Sequence, residues 1–330
     1  MSRRLTAGLL AVLILAAGGL RLNPASPAAA APSTPCAAIS AREPQNGHTM
    51  PPAAPAMFAP DFPHLTDCEW GYALGGWGGI RRGLPLSHVP VIFVHGNQAD
   101  AENWFAVAGQ FNRIAGYTRQ EMYALSYNGL ANFAAGAPTR SAPGPESIAY
   151  VQANPTTLGN GGHGAANDVN VPDLYAFVRA VMAYTGSQYV DIVAHSLGVT
   201  IARKMLYLHR DLYRHVLAFV GIAGGNHGTS VCRGIDTVYY GCEEIAPGTK
   251  WLAQLNSIGE APGPTHWMTV YNGLEGDPFF AGPDEQSPAL KGATNLQFPG
   301  YYHNDLRVDP AIVPQYLAFL LRYGQPPRRG

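Results

Sequence analysis

From Val89 onward the chain alternates between two hydrophobic patterns. Short runs with no polar interruption, such as Val91-Ile92-Phe93-Val94 and Val216 to Ile222, suit strands of a sheet covered on both faces. Glu121 to Tyr127, Tyr189 to Val193, Trp267 to Tyr271 and Thr294 to Phe298 read as further strands. Between them the apolar positions change period. Trp104, Val107, Phe111 and Ile114 recur at helical spacing, as do Leu174, Phe177, Val178 and Val181. The second set predicts a helix over Pro172 to Thr185, with Pro172 near its start and Gly186 just past its end. Val199 to His209 and Pro310 to Tyr323 read as two more helices. This alternation of strands and helices predicts a doubly wound, mostly parallel sheet with helices on both faces.

Outside this region the pattern is lost. Ala31 to about Pro63 is rich in Ala and Pro and shows no apolar period, so it reads as a linker or arm. Glu69 to Gly83 reads as an irregular, glycine-rich entry to the domain. Tyr127 to Pro172 forms a long Gly-, Ala- and Pro-rich connection, most open at Gly159 to Gly164. It links the carboxyl end of a strand to the next helix, which suits a rim or flap over a site. His163 lies within it, with no chemistry assigned. The expected organisation is a leader over 1–30, an arm over 31–85, and a catalytic domain over 86–330 with a loop insertion at 128–171.

The leader is read from charge and hydropathy. Arg3 and Arg4 precede an uncharged apolar core, Leu5 to Leu20, and small residues from Ser26 to Ala31 offer cleavage after Ala30. The core is shorter than the ~20 residues of a spanning helix, so export and removal are expected. An exported chain meets an oxidising compartment, where an even set of cysteines pairs. The four are Cys36, Cys68, Cys232 and Cys242. They allow three pairings, and proximity in sequence favours Cys36 with Cys68 and Cys232 with Cys242. Their spacing does not suit a metal. The formal net charge of −1 and the 13% of charged residues give no basis for binding nucleic acid.

Candidate chemistry concentrates at Ala194-His195-Ser196-Leu197-Gly198. A strand, then a small residue, x, Ser, x and Gly, then a helix describes a nucleophile elbow. Small residues flank the serine because so tight a turn leaves no room beside it. A serine hydroxyl needs a base, and the base needs an orienting carboxylate. On this architecture the chain order is serine, acid, histidine. Five histidines follow Ser196. His209 and His215 come too soon, His227 precedes the best acid, and His266 begins a strand rather than ending one. His303 follows the last strand and is the expected base. The acid is expected in Asn272 to Pro278, where Asp277 is preferred, Glu275 is its rival two residues away, and Asp284 is a weaker one. The Leu197 amide should supply one oxyanion donor. The second should come from the loop after Val94, with Asn97 favoured and Gln98 the alternative. His95 reads as structural. Trp251, Leu252, Phe279 and Phe280, together with Tyr239 and Tyr240, are candidate walls of an apolar substrate site.

Pro90 to Asn97, Tyr184-Thr185-Gly186 and Val190 to Val199, with the Ala-His-Ser box, resemble the class 2 secreted bacterial lipases of the α/β-hydrolase superfamily. They are also similar to a lipase-like extracellular polyhydroxybutyrate depolymerase. The resemblance covers Val89 to Tyr323, although the acid and histidine loops match by placement alone. It implies the α/β-hydrolase fold, a Ser196–Asp277–His303 triad, and ester hydrolysis that needs no metal or cofactor. The implied partner is a lipid or polyester substrate, with transient contact at a lipid interface and no obligate protein partner. Polyester depolymerase, amidase or peptidase, and a non-catalytic binding protein on the same fold are the alternatives. The intact serine, histidine and acids argue against the last.

Overall fold

The computed structural model describes residues 56–65, 74–97, 99–126, 167–233, 240–274 and 277–325. Its centre is an eight-stranded sheet. In chain order the strands are β1 (Ala56–Phe58), β2 (Gly75–Gly78), β3 (Val91–Val94), β4 (Met122–Ser126), β5 (Val190–His195), β6 (Val216–Ile222), β7 (His266–Tyr271) and β8 (Thr294–Gln297). Their spatial order is β1-β2-β4-β3-β5-β6-β7-β8. Every neighbouring pair is parallel except β2 with β4. β3 and β5 occupy the middle and are buried along their whole length.

Helices cover both faces, and side-chain alternation decides which residues meet which layer. On β3, Ile92 and Val94 pack with Leu174, Phe177 and Val181 of α2 (Asn167–Thr185) and with Val199 and Met205 of α3 (Leu197–Leu208). Val91 and Phe93 face the opposite layer. They pack with Val107 and Phe111 of α1 (Phe105–Ala115) and with Tyr316 and Leu320 of a C-terminal helix over Val313–Tyr323. Among the described residues there are three further, short α-helices, α4 (Tyr240–Ile245), α5 (Lys250–Asn256) and α6 (Asp305–Val308), which makes the C-terminal one α7.

The structure departs from the expected elements in four places. The 31–85 arm contributes β1 and β2 to the sheet. In β2, Gly76 has φ +133°, and a Cβ there would lie 2.2 Å from the Ala124 carbonyl oxygen. Glycine is depleted in strands, which hides this one, yet only glycine lets β2 lie against β4. Trp77 anchors it by donating its indole N–H to the Ala101 carbonyl at 2.7 Å. Phe58 of β1 stacks on Phe62 at 4.6 Å. Second, α2 starts at Asn167 and carries Pro172 inside it, so the end of the 128–171 insertion is helical. Third, α3 starts at Leu197, directly after the serine. Fourth, the expected Pro310–Tyr323 helix begins only at Val313, and the separate short helix α6 ends at Val308, before the proline. Asp309, which precedes Pro310, is extended with ψ 131°, as the proline ring demands of its predecessor.

Cys232 and Cys242 form a disulfide. The 1–30 leader, the Cys36–Cys68 pairing, residues 127–166 with His163, Gln98, Tyr239 and Glu275 lie outside the described residues. Among the described residues no helix is long and apolar enough to cross a membrane.

Candidate active site

Ser196 sits between β5 and α3 with φ 56° and ψ −129°. A non-glycine residue there is strained by roughly 1–3 kcal/mol and persists only where its surroundings impose it. The impositions are visible. Ser196 N–H donates to the Ile222 carbonyl on β6 at 2.8 Å, and Val199 N–H donates to the Ser196 carbonyl at 3.0 Å. A Cβ on Gly198 would lie 2.4 Å from the His95 carbonyl oxygen, and one on Gly96 would lie 2.6 Å from the Ser196 Cβ. Two glycines therefore let the β3 loop and the start of α3 close on the serine from both sides. Asn97 follows the glycine that touches Ser196. Leu197 opens α3, where the first amides have no partner within the helix. The side-chain oxygen of Asn97 is buried and has no hydrogen-bond partner.

His303 and Asp277 come together from separate loops. The His303 Nδ1 lies 3.0 Å from Asp277 Oδ2 and 3.2 Å from Oδ1. Both residues are buried. Asp277 Oδ1 also accepts the Phe279 N–H at 3.0 Å. A carboxylate accepts hydrogen bonds, so the His303 proton belongs on Nδ1 and the Nε2 lone pair is free. That Nε2 is buried and has no partner. The His303 carbonyl faces His195 Nε2 at 3.1 Å, and the two rings are 4.8 Å apart. The loop carrying the histidine is thus tied to the residue that precedes Ser196.

Each remaining candidate has a different engagement. The Asp284 carboxylate accepts the Ser230 N–H at 2.5 Å. His227 pairs with Glu260 at 3.2 Å and lies 3.0 Å from the Ser287 carbonyl. His209 stacks on Tyr175, and His266 stacks on Tyr323. His215 Nδ1 lies 2.8 Å from the Gln188 carbonyl. His95 is buried with Nδ1 2.8 Å from the Gly96 carbonyl, and burial lowers its pKa to about 4, so it stays neutral. Of the expected walls, Phe279 and Phe280 stand beside the His303 ring at 4.6 and 5.9 Å. Leu252 is buried. Trp251 lies under the Lys204 ammonium at 4.9 Å. Among the described residues no cluster of three His, Cys, Asp or Glu could hold a metal ion.

Sequence reasoning missed the bonds that brace the loops. Asn272 donates its side-chain N–H to the Tyr301 carbonyl at 2.6 Å and so joins the acid loop to the histidine loop. Thr229 donates its hydroxyl to the Phe279 carbonyl. Arg307 is buried over the Trp104 ring and donates to Asn103, and burial lowers its pKa to about 10. None of these has a local motif.

The class 2 lipase family model matches residues 88–137 and 154–272, just over half of the chain. The chain belongs to the class 2 lipase family. The family match includes Gly96, Asn97 and Ser196 but ends before Asp277 and His303. The protein is an ester hydrolase of the lipase and esterase type. No curated protein shows significant similarity to the chain. Among solved structures, the mature form of the Bacillus licheniformis lipase BlEst2 is similar, with a TM-score of 0.50 and 15% identity. That match covers 75% of this chain and 97% of the other. Lipase B from Aspergillus fumigatus is similar with a TM-score of 0.52 and 16% identity, over 74% of this chain and 57% of that one. At such identities these likenesses speak to the α/β-hydrolase fold alone.

Proposed function

We propose that the protein is a secreted serine hydrolase that cleaves carboxylic acyl esters through Ser196, His303 and Asp277. The observation that carries this reading is the buried Asp277–His303 pair with an unpartnered Nε2, bonded through its backbone to the neighbour of a strained serine. His303 Nε2 takes the hydroxyl proton as Ser196 Oγ bonds to the ester carbonyl carbon. Asp277 holds the imidazole in the required tautomer and stabilises the imidazolium. The amides of Leu197 and Asn97 receive the oxyanion. The intermediate collapses, His303 returns the proton to the leaving alcohol, and an acyl-enzyme remains. Water then repeats the sequence and frees the acid and Ser196. All the groups this chemistry needs come from the protein, so no metal or cofactor has a step to perform.

Phe279 and Phe280 beside His303 support an apolar acyl group. Leu274 and Tyr302, on the loops that carry the acid and the base, are 52% and 55% exposed. They support transient contact with a lipid interface. The basic start and apolar core of the leader, with the Cys232–Cys242 disulfide, support export. A polyester substrate would use the same chemistry. The decisive experiment labels the protein with an organophosphonate and assays p-nitrophenyl esters from acetate to palmitate, a polyester film and a peptide amide, with and without EDTA. Labelling of Ser196 and EDTA-insensitive ester hydrolysis are expected. Activity on amides alone, or activity lost with EDTA and restored by a divalent ion, would overturn the reading. Turnover of the film above the soluble esters would make the substrate a polyester.

A further inference from the structure

His195 is an unusual residue to bury. It ends β5, is 5% exposed, and its ring lies 4.8 Å from that of His303. Its Nε2 lies 3.1 Å from the backbone carbonyl oxygen of His303. A carbonyl oxygen can only accept, so His195 must carry its proton on Nε2. The bond joins residues 108 positions apart. One is the immediate neighbour of Ser196, and the other is the residue whose ring must meet Ser196.

We propose that His195 is a positioning residue, whose Nε2–H holds the His303 backbone and so sets the imidazole of His303 against Ser196. The inference rests on the reading of Ser196 as nucleophile and His303 as base. The Asp277 carboxylate fixes the rotation of the His303 ring from its Nδ1 side. A ring gripped at one edge can still swing with its loop, and His303 lies in a loop between β8 and α6. The His195 bond grips the main chain of the same residue. Because Ser196 follows His195 directly, any shift of the elbow carries this anchor with it.

A histidine suits the task only if it stays uncharged. Two rings 4.8 Å apart cannot both be positively charged cheaply, and His303 must become an imidazolium in the transition state. Burial pushes the His195 pKa well down, and the charges of His303, Arg307 and His95 act in the same direction. His195 therefore donates a hydrogen bond without competing for the catalytic proton. A lysine or arginine in its place would donate as well but would oppose the imidazolium.

The test compares His195→Phe with His195→Gln, whose amide N–H can take the place of Nε2–H, and uses Ser196→Ala as a reference. His195→Phe should lose about 10- to 100-fold in kcat, with KM within about threefold, because a displaced base impairs the step and not binding. His195→Gln should recover most of that loss. A His195→Phe enzyme with wild-type kcat, a loss confined to KM, or a glutamine variant as impaired as the phenylalanine one would overturn the proposal. If His195→Phe does not fold, His195→Gln and ring nitrogen NMR of the intact wild-type protein decide. The His195 ring should be the neutral Nε2–H tautomer from pH 5 to 8, and an Nδ1–H tautomer or a cation would overturn the idea. Full activity in Ser196→Ala would instead defeat the serine mechanism, and the NMR result does not depend on that.

Discussion

The two halves of the active site are built differently. The nucleophile half is a set of neighbours: β3 with Gly96 and Asn97, β5 with His195 and Ser196, and Leu197 at the start of α3. Its geometry is enforced by backbone that cannot yield, since the Gly198 and Gly96 contacts are to a carbonyl oxygen and to the serine itself. The acid–base half is a set of loops held from a distance. Asn272 reaches Tyr301, Thr229 reaches Phe279, the Ser230 N–H donates to Asp284, and His195 reaches His303. The first half is specified by residues adjacent in the chain, and the second by side chains that cross between elements. A substitution should therefore cost most, and most locally, in the first half. In the second its cost should be graded with the number of braces removed.

The largest effects should fall on the nucleophile half. Ser196→Ala should fold as the wild type does and lose about 10⁵-fold or more in kcat, as expected when a triad loses its nucleophile. Gly198→Val should fail in a different way. Its Cβ would meet the His95 and Val94 carbonyls at 2.4 and 2.7 Å, so the elbow must open, and both melting temperature and phosphonate labelling should fall. A Gly198→Val enzyme with normal labelling would show that the elbow is less rigid than these contacts require.

Asp277→Asn comes next, with an expected loss of about 10⁴-fold in kcat, because a carboxamide no longer selects the productive tautomer. Glu275→Gln should change kcat by less than about threefold. The reverse ranking would move the acid to Glu275.

Asn272→Ala removes one brace between the acid and histidine loops. It should cost about 1 kcal/mol of stability, the worth of one hydrogen bond, and about threefold to tenfold in kcat. Thermal unfolding and steady-state kinetics on the same preparation check both. A loss as large as that of Asp277→Asn would mean that the loops share a single brace rather than several, and the contrast between the halves would fail.

This contrast also explains what the sequence could disclose. The elbow was legible because strand, turn and helix are contiguous, and steric demand puts Ala194 and Gly198 beside the serine. The parallel sheet was legible because strands buried on both faces, such as β3 and β6, read as nearly continuous apolar runs. The β2 strand was not, since Gly76 and Gly78 are chosen for their fit against β4 and carry no strand propensity. His303 could be reached by eliminating histidines at the wrong ends of strands. Asp277 and Glu275 could be ranked but not separated, since they stand two residues apart in one loop and the pairing with His303 is a tertiary fact. The role of His195 was out of reach for the same reason, because its partner lies in another loop.

The smallest expected effect on activity lies on the same strand as the elbow, at its other end. Asp191 is fully buried in β5. Its Oδ1 accepts the Ala218 N–H at 3.0 Å, and its Oδ2 has no partner. Burial raises its pKa well above the usual carboxylate range, against the lowering effect of the Ala218 bond. The folded protein therefore keeps a proton on Asp191 at pH values where the unfolded chain has released it. An acid whose folded pKa is raised contributes stability that is complete below the unfolded value, about 3.9, and that is lost as pH rises toward the folded one. Asp191→Asn keeps an acceptor for Ala218 and removes the titration. The variant should match the wild type in melting temperature near pH 4 and exceed it by several degrees at pH 7 to 8, with kcat and KM unchanged. Thermal unfolding from pH 4 to 8 reads the first expectation and ester hydrolysis at neutral pH the second. A kcat that falls with Asp191→Asn would mean that strain at the elbow is transmitted along the whole of β5, and the nucleophile half would no longer count as locally specified.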